Sequence, residues 1–185
     1  MNHWQLRQTA RIIGQGGIIA YPTEAVFGLG CDPLNPNAVM RLLALKHRPV
    51  EKGLILIASN IEQLDPFMAQ LNTKQQDTLM ASWPGPATWL VPARPETPIW
   101  LKGHHDTIAV RVTDHPIAAA LCQTVEHALV STSANQTGQQ PAKRPIQVRR
   151  YFHNTLDRIV TGPLGNLANP TAIRDLHSKQ LARPG

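Results

Sequence analysis

Acidic residues are scarce in this chain of 185 residues: 12 Asp and Glu stand against 18 Lys and Arg, a formal charge of +6. A site built on clustered carboxylates, such as a two-metal centre, is poorly supplied, and no metal-ligand set is expected. The cationic excess points instead to anionic partners: phosphates, nucleotides or nucleic acid. Cysteine is scarcer still. Cys31 and Cys122 are the two present, and they form no CxxC pair. That excludes a disulfide framework or a zinc knuckle and reads as two reduced, half-buried thiols in a cytoplasmic protein. No apolar run approaches the ~18 residues of a membrane span. Gln5, Arg7, Gln8 and Arg11 interrupt the N-terminal stretch where a signal peptide would be apolar. Internal repeats and low-complexity tracts are missing as well.

What remains suits a folded domain. Hydrophobic residues make up 42% and charged residues 16%, a balance that supports a packed core. The 16 prolines and 12 glycines cut the chain into short pieces. Helices are expected over Trp4–Gln15, from Asn35-Pro36 to about His47, over 60–70 and Thr73–Trp83, after His115-Pro116, and over Pro145–Phe152. Asn35 and His115 precede proline, the pattern of a cap followed by proline in the first turn. Strands are expected at Gly17–Tyr21, Leu54–Ala58, Thr88–Val91, Thr107–Val112, Ala128–Ser131, Arg158–Val160 and Ala172–Leu176. Leu54–Ala58 is apolar without alternation, as in a strand covered on both faces. Tyr21 to Gly30 reads as a strand-to-helix loop, and Ser131 to Gln139 as a polar loop. Strands and helices intermix, so the expected class is α/β: one domain over 1–185, with a twisted mixed sheet flanked by helices.

The common nucleotide and metal motifs are not here. There is no GxxxxGK[ST] and no HExxH, and Gly28-Leu29-Gly30 lacks the third glycine of a dinucleotide fingerprint. The adjacent pair His104-His105 would point to opposite faces of a strand and reads as an exposed polar turn.

Three polar clusters stand out. Tyr21 to Gly30 leaves a buried strand at the edge where α/β proteins bind ligands; an ordinary connecting loop is the plainer reading. Lys46-His47-Arg48-Pro49-Val50-Glu51-Lys52 places three cations at a helix end. Cations there complement the helix dipole by about 0.3–1 kcal/mol, or else clamp a polyphosphate. Ser131-Thr132-Ser133-Ala134-Asn135 follows an apolar strand, and alternation would set Ser131, Ser133 and Asn135 on one face. Ser133 lacks the G-x-S-x-G elbow of an activated nucleophile. Arg111, among apolar neighbours on its strand, calls for a carboxylate, with Asp114 or Asp106 as the nearest candidates.

In this order, the clusters resemble the YrdC/TsaC family. The matching stretches are YPTEAVFGLG at 21–30, KHRP at 46–49, SWPGPAT at 82–88, TIAVRVTDHP at 107–116, STSAN at 131–135 and RPG at 183–185. The length and the PTEAVFG wording look most like the family's bacterial single-domain form. The resemblance implies a nucleotidyltransferase that makes threonylcarbamoyl-AMP and pyrophosphate from L-threonine, bicarbonate or CO2, and ATP. A partner complex would then modify tRNA next to the anticodon. It implies that Lys46, Arg48 and Lys52 meet the phosphates, with Lys46 and Arg48 catalytic. Thr107, Ser133, Asn135, Arg183 and the chain at Pro141 would complete the ATP site. Arg111 would grip the threonine carboxylate beside Ser131 and Thr171, with the Thr23 to Ala25 loop closing over it. Mg²⁺ would travel with the ATP phosphates. Longer relatives differ at Ala25, Phe27, Lys52 and Ile57.

A non-catalytic RNA-binding module is the competing reading. From His127 to Leu156 there is no acid, while Lys143, Arg144, Arg149 and Arg150 cluster there and could track phosphates. Stacking aromatics in that stretch are limited to Tyr151 and Phe152. A carbamoyl-adenylate domain of hydrogenase maturation, which shares the fold, is a third; its acylphosphatase and zinc-finger segments are not expected here.

Overall fold

The computed structural model describes residues 1–184. Gly185, the last residue of the terminal Arg-Pro-Gly stretch, lies outside the described residues. In chain order the elements are α1 (His3–Gly14), β1 (Ile19–Pro22), β2 (Phe27–Gly30), α2 (Pro36–Lys46), β3 (Ile55–Ala58), α3 (Thr73–Met80), β4 (Thr88–Pro92), α4 (Ile99–Lys102), β5 (Thr107–Val112), α5 (Pro116–Val125), β6 (Leu129–Ser133), α6 (Pro145–Phe152), β7 (Arg158–Ile159), β8 (Ile173–Asp175) and β9 (Leu181–Arg183). The strands form one 9-stranded sheet in the order β7-β1-β2-β6-β3-β5-β4-β8-β9. It is mixed: β3 runs parallel to β5 and antiparallel to β6.

Side-chain alternation on β3 splits the interior in two. Leu56 and Ala58 enter the larger core, with Leu29, Val39, Leu42, Val110 and Val130. Ile57 points the other way, into a smaller core with Ile13 of α1, Ile19 and Tyr21 of β1, and Ile117 and Leu121 of α5. A central strand buried on both faces has no polar side to show, which is why its sequence does not alternate.

Local chemistry sets the helix starts. The Asn35 side chain accepts from the Ala38 N–H ahead of Pro36, and the His115 ring accepts from the Ala118 N–H ahead of Pro116. α2 ends at His47, which is left-handed with φ 49°. That turn swings Arg48 out of the helix direction.

Four expectations need correction. The helix over 60–70 is not formed; only a 3-10 turn at Glu62–Leu64 appears, because Pro66 has no N–H to carry the hydrogen-bond ladder on. Tyr21 to Gly30 is not a loop into a helix but a hairpin: β1 pairs antiparallel with β2, from Ile19 opposite Gly30 to Pro22 opposite Phe27. β6 runs on to Ser133, because Thr132 and Ser133 pair with Leu29 and Gly28 of that unforeseen strand. Finally, both cysteines are fully rather than half buried, and burial pushes each thiol up to about 12.

Candidate active site

A cleft of about 520 Å³ opens on the sheet face that also carries α5. Its floor is one row of residues across four strands. Ser131 of β6 lies opposite Ile55 of β3, Ile55 opposite Ala109 of β5, and Ala109 opposite Leu90 of β4; all four line the cleft. The odd-numbered residues of β5, Thr107, Ala109 and Arg111, face it, while Ile108, Val110 and Val112 enter the larger core. Period-2 alternation thus places an arginine on the cleft side of a strand that is otherwise apolar.

One rim is cationic. Lys46 is buried at the end of α2, and its Nζ donates to the backbone carbonyls of Ser133 and of Asn135, the latter at 2.7 Å. Arg48 donates from Nε and Nη2 to the Gly53 carbonyl, at 3.2 and 2.9 Å. Lys52 closes this side. The loop after β6 is tied down in turn. Ser133 Oγ donates to Asn135 Oδ1 at 2.6 Å, and the Asn135 amide donates to the Gln139 carbonyl at 2.8 Å. Thr137 Oγ1 donates to the carbonyls of Lys46 and His47. Arg183 of β9 reaches in from the opposite edge and donates to the Thr171 carbonyl at 3.3 Å.

These cations repel one another in sequence. Burial first, and then Arg48, bring the Lys46 ammonium down to about 8. Burial and Arg183 lower Arg48, and burial and Arg111 lower Arg183. A row of half-desolvated like charges is unfavourable by itself and favourable once an anion lies along it.

The other end holds an ion pair. Glu24, in the β1–β2 turn, sits with Oε2 3.2 Å from Arg111 Nη2, both side chains being 7% exposed. Glu24 Oε1 accepts from Thr113 Oγ1 at 2.6 Å. Arg111 Nη1 donates to Thr171 Oγ1 at 2.8 Å, and Thr171 meets Thr88 at 2.9 Å. The Glu24–Arg111 approach is ionic without hydrogen-bond alignment: Glu24 Oε2 and Arg111 Nε are buried with no hydrogen-bond partner. The partner of Arg111 is therefore Glu24, from a distant part of the chain, and not Asp114 or Asp106.

A strap covers this pair. Gly165 N–H donates to the Thr23 carbonyl at 3.0 Å and Leu167 N–H to the Glu24 carbonyl at 3.1 Å. The His115 ring holds the Pro163 carbonyl at 3.3 Å. Only glycine fits at 165, since a Cβ there would lie 2.8 Å from the Glu24 backbone.

Every site residue anticipated from the sequence lines this one cleft: Thr23, Ala25, Lys46, Arg48, Lys52, Thr107, Arg111, Ser131, Ser133, Asn135, Pro141, Thr171 and Arg183. Glu24, Lys102, His105, Thr137 and Pro184 join them; of these the sequence marks Glu24 only as part of the Thr23 to Ala25 loop and His105 only as an exposed polar turn. Glu24 carried no signal of its own: its segment reads as a connecting loop, and the hairpin that sets it against Arg111 exists only in the fold. Nothing local marks Thr137 or His105. His104 and His105 do sit in an exposed turn, but His105 faces the cleft. Ile57, where longer relatives differ, belongs to the smaller core instead.

Comparison with known proteins agrees with the geometry. The family model Sua5_yciO_yrdC, described as Telomere recombination, matches residues 11–185. A protein of Stutzerimonas stutzeri (strain A1501) named threonylcarbamoyl-AMP synthase is 52% identical over 181 residues, covering 98% of this chain and 97% of that one. The structure of P. abyssi Sua5 complexed with L-threonine superposes with a TM-score of 0.88 at 30% identity, covering 95% of this chain and 52% of that one. The chain thus spans about half of that protein. E. coli YciO superposes with a TM-score of 0.87 at 25% identity, covering 98% of this chain and 89% of that one. The chain belongs to the Sua5/YciO/YrdC family.

Proposed function

We propose that this chain is a threonylcarbamoyl-AMP synthase, a nucleotidyltransferase acting on L-threonine, bicarbonate-derived CO2 and ATP. The observation that carries the reading is the charge layout of one cleft. Lys46, Arg48 and Lys52 line one stretch of it with Arg183 facing them from the opposite edge, and the Arg111–Glu24 pair lies at the other end. A polyanion fits the first stretch and an amino acid fits the second. The full-length relative named threonylcarbamoyl-AMP synthase supports the same assignment, as does the threonine complex of P. abyssi Sua5.

The chemistry needs positioning more than covalent catalysis. Threonine becomes an N-carbamate. A carbamate oxygen then attacks the α-phosphorus of ATP; a new P–O bond forms and the bond to pyrophosphate breaks. Lys46, Arg48 and Lys52 stabilise charge on the phosphates. Two of the three Lys46 protons hold backbone carbonyls, so the ammonium is fixed in place with one donor to spare. Thr107, Ser133, Asn135, Arg183 and the chain at Pro141 bound the nucleotide. Arg111 takes the threonine carboxylate, with Ser131, Thr171 and the Thr23 to Ala25 turn around it. Both substrates share one cleft, which supplies proximity.

Among the described residues, no three His, Cys, Asp or Glu side chains gather as metal ligands, and the acid on the cleft wall is engaged with Arg111. The residues fit Mg²⁺ brought in on the ATP phosphates rather than held by the protein. The product would pass to a tRNA-modifying complex. Lys143, Arg144, Arg149 and Arg150, all exposed in and beside α6, offer a face for that complex or for tRNA. No helix among the described residues is long and apolar enough to cross a membrane, and we place the enzyme in the cytoplasm.

Pyrophosphate release by the purified protein tests the proposal. Release from ATP that requires both threonine and bicarbonate is expected. Release no faster than in a control without threonine would refute it, and salt-sensitive RNA binding as the sole activity would favour the RNA-binding module.

A further inference from the structure

We infer that Glu24 is the group that receives the amino proton of the bound amino acid. The inference rests on the functional reading above and assigns that site its proton acceptor.

The starting point is a pair of unsatisfied atoms. Glu24 is 6% exposed. Its Oε1 is occupied by the Thr113 hydroxyl, but Oε2 accepts no hydrogen bond. Next to it, Arg111 uses Nη1 on Thr171 and leaves Nε without a partner. A buried polar atom left unpaired costs about 1–3 kcal/mol, so two of them side by side on a cleft wall mark a place where something binds. One atom accepts and the other donates. Their complement is a molecule with an ammonium and a carboxylate on neighbouring atoms, which is the shape of an α-amino acid. Arg111 takes the carboxylate, and the ammonium then falls against Glu24 Oε2.

Chemistry makes that contact more than recognition. An α-ammonium has no lone pair, and at neutral pH it is the dominant form. It must lose a proton before it can attack CO2. The ammonium gives one proton to Glu24 Oε2, which leaves an amine and a neutral carboxylic acid. The amine lone pair forms the C–N bond to CO2 while one C=O π pair moves onto oxygen. The nitrogen then sheds a second proton to water, and the carbamate remains. The protonated Glu24 returns its proton to water when the product leaves.

Glu24 is faced by few other titratable groups. Arg111 lies on β5, His115 caps α5 with Asp114 beside it, and the Tyr21 phenol comes from β1. Burial lowers His115 and holds Tyr21 above the ordinary phenol range, so Arg111 is the charged group in direct contact with Glu24. The strap from Pro163 to Leu167 roofs Glu24 and its turn, and the proton transfer is shielded from bulk water.

The test compares Glu24→Gln with wild type in kcat/KM for threonine at saturating ATP, from pH 7 to pH 8. Glutamine keeps the shape and the Thr113 contact but cannot take a proton. The variant would have to use threonine that is already an amine, a fraction that rises about tenfold per pH unit below its pKa. The variant-to-wild-type ratio is therefore expected to rise about tenfold over this range, with KM for ATP unchanged. A flat ratio would overturn the role of Glu24 while leaving the synthase reading in place. Wild type without threonine-dependent turnover would overturn both. Should Glu24→Gln fail to fold, inhibition of wild type by 2,3-dihydroxybutanoate, which has a hydroxyl in place of the amine, decides the point. Competition at least tenfold weaker than by threonine is expected, and equal competition would overturn the inference.

Discussion

Lys46 Nζ donates to the Asn135 carbonyl at 2.7 Å, across 89 residues of chain. The contact joins the end of α2 to the loop after β6. It turns two polar clusters that are remote in sequence into one wall of the cleft. The lysine is at once a structural tie and a cation aimed at a ligand, so its removal should cost both stability and rate.

Lys46→Ala and Arg48→Ala are each expected to lower threonine-dependent pyrophosphate release at least tenfold, or about 1.4 kcal/mol in the barrier. Lys46→Ala should also destabilise the fold by about 1–3 kcal/mol, because it strips donors from two buried-side carbonyls. Steady-state rates and urea unfolding check both effects. Near-wild-type rates would reduce the cluster to helix-end cations.

The Lys46 ammonium, brought down to about 8 from an ordinary 10.5, sets a pH dependence. Between these values the unfolded chain binds more protons than the folded one, so this group makes stability rise with pH in that window. Phosphates favour the charged form and act the other way. ATP binding should take up a proton above pH 8 and weaken as pH rises. Titration calorimetry at pH 8.5 in buffers of different ionisation heat measures the uptake, and it should vanish in Lys46→Arg.

Much of this was legible in the sequence, for identifiable reasons. Proline after Asn35 and after His115 located α2 and α5, because a cap and a first-turn proline act locally. Leu54–Ala58 declared itself as a central strand through its unbroken apolar run. β2 was hidden because its Gly28 and Gly30 look like loop residues. Gly30 is required for another reason: a Cβ there would lie 2.6 Å from the Val130 carbonyl, a partner strand that no local pattern reveals. The ends of β2 and β6 pair with each other and were missed together. Arg111 was visible as a misfit on its strand. Its partner Glu24 was not, because the pairing depends on the fold closing the hairpin over β5.

Breaking the buried pair should be costly. Arg111→Ala leaves Glu24 buried without a counter-charge, and a loss of about 3–5 kcal/mol is expected. Adding Glu24→Ala should restore part of it. A double-mutant cycle by urea unfolding reads the coupling, and strictly additive losses would show that the two side chains do not act as a pair.

The strap gives a prediction that touches neither charge. Gly165→Ala places a Cβ 2.8 Å from the Glu24 backbone and must lift the strap or shift the turn. KM for threonine should rise several-fold while KM for ATP stays the same. An equal rise in both would mean that the strap supports the whole cleft rather than its amino-acid end.

The fate of bicarbonate carbon tests the synthase reading most directly. The purified protein, given ATP, L-threonine and carbon-13 bicarbonate, should form an adenylate whose mass equals threonine plus CO2 joined to AMP. The whole product should be heavier by one mass unit than that made from unlabelled bicarbonate. An adenylate of threonine without the added carbon, or AMP and pyrophosphate with no adduct, would contradict it.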